Sequence, residues 1–127
     1  MNSVNRRRFE RFSVLPMYTP VVVRAHAEGS PELEGHVYDV SEGGVRFELD
    51  EAIAPGTPVS IQIVLPGDTR QGADRGVLVI ANVVWVDVDA DEPGPVRMAA
   101  AFTRFPKAGD RERLLKQLSS GRYARAA

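Results

Sequence analysis

The sequence predicts an all-β fold: a six-stranded antiparallel β-barrel with a C-terminal α-helix and a flexible N-terminal arm. Three observations carry that expectation. Six short runs rich in β-branched and aromatic residues recur between residues 21 and 102, glycine and proline cluster between them, and a helical spacing of apolar residues occurs only after residue 110. Closing such strands into a barrel removes the edges that an open sheet leaves exposed.

Val21-Val22-Val23-Arg24-Ala25-His26-Ala27 and Leu33 to Val40 are the first two runs, and the turn-forming Gly29-Ser30-Pro31 between them makes a hairpin. Val45-Arg46-Phe47-Glu48-Leu49 and Val59-Ser60-Ile61-Gln62-Ile63 alternate apolar with polar residues, as strands with one buried face do. Ala54-Pro55-Gly56-Thr57-Pro58 excludes regular structure between them. After a polar loop over 67–76 comes a long apolar strand, Val77 to Val88, expected to bend and to face the core along much of its length; Asp89 to Pro95 closes it. Val96 to Phe102 is the sixth run. Asp110 is placed to accept the N–H bonds of a helix start, Leu114, Leu115 and Leu118 form an apolar stripe, and Gly121 stops the helix. That stripe packs on the barrel or on a partner, and Arg122 to Ala127 read as a loose tail.

The 127 residues fit one domain, divided into the arm (1–12), the barrel (13–106) and the helix with its tail (107–127). A hydrophobic share of 43% with 26% charged residues is that of a soluble globular protein. No apolar run is long enough for a bilayer, and none follows the N-terminal arginines as in an export signal. The absence of cysteine excludes disulfides, thiolate metal sites and a cysteine nucleophile, so a cytoplasmic location is expected. The net charge of −1 conceals an asymmetry: Arg6, Arg7, Arg8 and Arg11 face only Glu10 in the arm, and the residues after 106 are also basic, whereas the body is strongly acidic. Basic ends on an acidic body suit a local anion clamp, so no DNA, RNA or membrane partner is expected.

Two constellations carry chemistry. Arg7 and Arg11 stand four residues apart, at most about 14 Å on an extended chain. Guanidinium groups at that reach can bracket a compact dianion, bond bidentately to phosphate or a guanine edge, and stack on a purine. The second is Asp39-Val40-Ser41-Glu42-Gly43-Gly44, between two strands. Asp39 and Ser41 share a face while Val40 turns to the core; a carboxylate accepts the N1–H and exocyclic amine of guanine, and glycine at positive φ admits a base or phosphate close to the backbone. Each pattern also has a plain structural reading, a solvated basic terminus in one case and a hairpin loop held by Asp and Ser in the other.

Arg-Arg-x-x-x-Arg ahead of a β-barrel, followed by Asp-x-Ser-x-x-Gly, resembles the PilZ domain, the bacterial receptor for the second messenger cyclic di-GMP. Arg6, Arg7, Arg11, Asp39, Ser41 and Gly44 carry the resemblance, with the strand ending Val84-Trp85, the last strand closing at Phe102 and the C-terminal helix. It implies that the arm wraps cyclic di-GMP over the outside of the barrel, with Arg7 and Arg11 on phosphate and guanine, Asp39 and Ser41 on a guanine edge, Gly43 and Gly44 in the turn, and Arg6 as an auxiliary contact. One departure is Ala99-Ala100-Ala101-Phe102, where the family often has glycine. Trp85 could stack on a base and Arg97 could reach a phosphate.

His26 and His36 lack a nearby second ligand, so surface histidines and no metal are expected, and nothing makes a catalytic constellation. A binding module follows, a monomer or weak homodimer that signals to a downstream protein effector. Two rivals are a ligand-independent protein-interaction domain docking through the Leu114–Leu118 helix, and a small barrel binding single-stranded RNA through Phe9, Phe12 and its arginines.

Overall fold

The computed structural model describes residues 11–13, 19–65, 75–87, 94–119 and 124–125; the segments 11–13 and 124–125 are described by their backbone pairing. The strands are β1 (Arg11–Ser13), β2 (Pro20–Ala25), β3 (Leu33–Ser41), β4 (Gly44–Leu49), β5 (Pro58–Ile63), β6 (Val77–Asp87), β7 (Val96–Arg104) and β8 (Ala124–Arg125), with the helix α1 (Asp110–Leu118) before β8. Strands β2-β5-β6-β7-β4-β3 are neighbours in that order, and β2 also pairs with β3, which closes a six-stranded antiparallel barrel. The six expected runs are its six staves.

Alternation explains which side chains enter the barrel. Val21 and Val23, Val45, Phe47 and Leu49, and Val59, Ile61 and Ile63 are buried, while their neighbours Arg24, Arg46 and Ser60 face outward. Each buried large aliphatic or aromatic side chain contributes about 1.5–3 kcal/mol relative to exposure.

Among the described residues three register shifts interrupt the ladders: one leaves Thr103 extra on β7, where Ile80 faces Arg104 but Ala81 faces Phe102, and the other two, on β3 and β6, redirect side chains near the Asp-x-Ser turn and Trp85. On β3, Val37 stands opposite Phe47 but Asp39 opposite Arg46, so Tyr38 is the extra residue. Val37 and Val40 are then both buried although three residues apart, and Asp39 is turned outward. On β6, Val83 stands opposite Ala100 but Trp85 opposite Ala99, so Val84 is extra. Strict alternation from Val77 would have sent Trp85 into the core; the bulge brings it out, and Trp85 is 47% and Val84 57% exposed.

The helix packs on the barrel. Leu114 and Leu118 are buried in the common core, so two of the three leucines of the stripe pack on the barrel, while Leu115 is half-buried. Asp110 is not the cap expected from the sequence: Gly109, at φ 88, occupies that position with no side-chain cap bond. Instead, the buried Asp110 carboxylate accepts the Leu78 N–H at 2.8 Å and pairs with Arg113, tying α1 to β6. The helix ends at Leu118, with Ser119 as its cap, ahead of the expected stop at Gly121. Two further corrections concern the ends. Arg11 and Phe12, assigned to the arm, begin a strand, and Ala124 and Arg125, read as loose tail, pair with it: Phe12 lies opposite Arg125 and Ser13 opposite Ala124. Among the described residues no helix is long and apolar enough to cross a membrane.

Candidate functional site

Strands β1 and β2 lie end to end along one side of β3. Residues Leu33 to His36 pair with β2, and the rest of that side receives β1, with Arg11 opposite Ser41, Phe12 opposite Val40 and Ser13 opposite Asp39. The backbone therefore runs the end of the basic segment alongside the Asp-x-Ser turn. Arg6 and Arg7 lie outside the described residues, as do the side chains of Phe9, Arg11 and Phe12.

Inside the turn, the Ser41 hydroxyl accepts the Gly43 N–H at 3.2 Å, and Ser41 is almost fully buried. The Gly43 carbonyl accepts the Phe102 N–H of β7 at 2.9 Å. Gly44 does not take a left-handed conformation; a Cβ there would stand 2.6 Å from the Ala100 carbonyl oxygen. Its glycine is required by the close approach of β7, not by the positive φ expected from the sequence. Glu42 forms an ion pair with Arg111 of α1, joining the turn to the helix. That pair lines a cleft of about 530 Å³ between the turn, the end of β7 and the start of α1, with Phe102 and Phe105 in edge-to-face contact at 5.6 Å.

Across the outer face, ladder partners form one row: Trp85 on β6 opposite Ala99 on β7, Ala99 opposite Arg46 on β4, Arg46 opposite Asp39 on β3, and Asp39 opposite Ser13 on β1. Strand spacing makes Trp85 to Asp39 about 14 Å. Ala99 and Ala101 form a low floor between the exposed tryptophan and the exposed Arg46. Arg46 was not singled out in the sequence, although β4 alternation already assigned it to the solvent face. Hairpin register would have found it, because Arg46 is the cross-strand partner of Asp39.

Arg97 stands one row away, opposite Glu48 on β4 and Asp87 on β6. Its Nε donates to the Tyr38 hydroxyl at 3.2 Å, and its guanidinium carbon lies 4.9 Å from the centre of the Tyr38 ring. His26 and His36 are exposed; a ring nitrogen of His26 is 2.7 Å from the Ser60 hydroxyl, and His36 lies 4.0 Å from Glu48. Among the described residues no three metal-ligating side chains cluster.

The family pattern described as PilZ domain matches residues 5–120. Among solved structures, the chain is similar to Bacillus subtilis MotI/DgrA, an inhibitor of motility, at 20% identity and TM-score 0.66, covering 92% of this chain and 53% of that one. It is similar to the PilZ domain of Escherichia coli YcgR with c-di-GMP at 20% identity and TM-score 0.58, covering 89% and 88% of the two chains. A third is the K. pneumonia MrkH–c-di-GMP complex, at 16% identity and TM-score 0.66, covering 91% and 51%. The chain thus spans about half the length of the Bacillus and Klebsiella proteins. No curated protein matches it in sequence.

Proposed function

This chain belongs to the PilZ domain family, and from that membership we propose that it is a cyclic di-GMP receptor that takes its ligand on the outer face of the barrel, beside the β3–β4 turn. The register pairing Arg11 with Ser41 is the observation that carries this reading, because it sets the end of the basic segment beside the Asp-x-Ser turn. Arg7 and Arg11 bind phosphate and guanine, and Arg6 assists. Asp39 takes the N1–H and amine edge of a guanine, with Ser41, Gly43 and Gly44 shaping the turn beneath it. Trp85 supplies a stacking face across the alanine floor, Arg46 adds a cation beside Asp39, and Arg97 borders the site. The plain structural reading of Ser41 and Gly44 has support as well: the Ser41 hydroxyl accepts the Gly43 N–H inside the turn, and a Cβ at Gly44 would meet the Ala100 carbonyl oxygen.

Ligand phosphates neutralise the arginines, so binding draws the segment carrying Arg6 and Arg7 onto the acidic barrel and makes a new surface for a protein effector. The work of the chain is recognition, as a monomer or weak homodimer in the cytoplasm, without catalysis and without DNA or RNA.

Calorimetric titration with cyclic di-GMP tests this directly. Arg11→Ala and Asp39→Ala are each expected to lose about 2–5 kcal/mol, roughly thirty-fold or more in Kd, because each leaves a charged or polar partner unpaired. Unchanged affinity in both variants, or no binding by the wild type, would refute the proposal.

A further inference from the structure

The bulge on β3 decides which way Asp39 points. A bulged residue leaves the ladder, and moving the bulge by one position would carry Asp39 from the outer face towards the core. The side chain of the extra residue is held by two partners. Tyr38 donates its phenol hydrogen to Glu48 Oε2 at 2.5 Å and accepts from Arg97 Nε at 3.2 Å, so one hydroxyl pins β3, β4 and β7 together. The Arg97 guanidinium also lies over the Tyr38 ring, an attractive cation–π arrangement. Donors and acceptors run in one direction, from Arg97 to Tyr38 to Glu48, and hydrogen bonds so chained strengthen one another. The hydrogen bond to Glu48, and burial after it, hold the phenol in its protonated, donating form.

We propose that Tyr38, braced by Glu48 and Arg97, is a positioning residue for the ligand: it locks the β3 bulge and so sets the direction in which Asp39 points. The inference rests on the reading of Asp39 as a ligand contact. It gives Arg97 a bracing task on the barrel surface, and it gives Tyr38 a task although its hydroxyl is already engaged within the protein.

A double-mutant cycle of Tyr38→Phe and Asp39→Asn, titrated with cyclic di-GMP and paired with thermal melting, tests it. Tyr38→Phe keeps the ring and removes the hydroxyl, and is expected to weaken binding about three- to tenfold, the effect of one lost hydrogen bond. In the Asp39→Asn background the same change is expected to alter Kd by less than about twofold, because the group it positions is already impaired. A purely structural role would instead lower affinity equally in both backgrounds, and that result overturns the inference, as does wild-type affinity in Tyr38→Phe. If Asp39→Asn binds as the wild type does, the assignment of Asp39 fails, and absence of wild-type binding removes both claims. Should Tyr38→Phe not fold, Glu48→Gln weakens the same acceptor and completes the cycle.

Discussion

Tyr38 and Ser41 show how differently two hydroxyls in one strand are used. Ser41 is enclosed in its own turn, where it accepts the Gly43 N–H, whereas Tyr38 reaches across β4 to Glu48 and Arg97. Hydrogen bonding to Glu48, and secondarily burial, raise the Tyr38 phenol above its ordinary range, with the Arg97 hydrogen bond opposing the shift. A raised pKa in the folded state means that the native protein holds this proton more tightly than the unfolded chain does. The associated stability is complete below about pH 10, the ordinary tyrosine value, and is lost as pH climbs through the folded value. Denaturant titrations across that range should show the wild type losing stability more steeply than Tyr38→Phe. Parallel profiles for the two proteins would contradict this.

At the scale of elements, α1 is fastened by a buried carboxylate as well as by its leucines. Asp110 accepts the Leu78 N–H and pairs with Arg113, which also donates to the Gly76 carbonyl at 3.1 Å. Asp110→Ala leaves the Leu78 N–H without its acceptor and Arg113, which is partly exposed, with the Gly76 carbonyl but no carboxylate. The expected cost is about 2–3 kcal/mol in chemical denaturation, and a loss under about 0.5 kcal/mol would show that the tether is idle. This contact explains why Asp110 was legible as important and misread as a cap: the sequence places an acid at a helix start but does not say which backbone N–H it meets. The strands were legible because alternation of valine, isoleucine and phenylalanine with polar residues dictates a buried face. The bulges were less so. Val37-Tyr38-Asp39-Val40 carries a signal, two apolar residues at odd spacing, but Val83-Val84-Trp85-Val86 is apolar throughout and hides the turn that exposes Trp85.

Over the whole molecule, the barrel converts distant sequence positions into one surface. Trp85, Arg46 and Asp39 share a row although they come from three strands, and β1 runs along the far side of β3 next to it. Charge and spacing singled out the arginines and Asp39 in the sequence, and resemblance to a family pointed to Trp85; Arg46 needed the register of the β3–β4 hairpin, which sets it opposite Asp39. The basic arm and acidic body now have a physical relation, since Arg11 pairs in the ladder with the residue that ends the Asp-x-Ser motif. The account depends on one cyclic di-GMP touching both the arm and the turn. Intermolecular nuclear Overhauser contacts from the bound ligand to isotope-labelled protein test this most directly: contacts from a single ligand to residues 6–11 and to 39–44 are predicted. Ligand contacts confined to one of these segments, or found on the opposite side of the barrel, would contradict it.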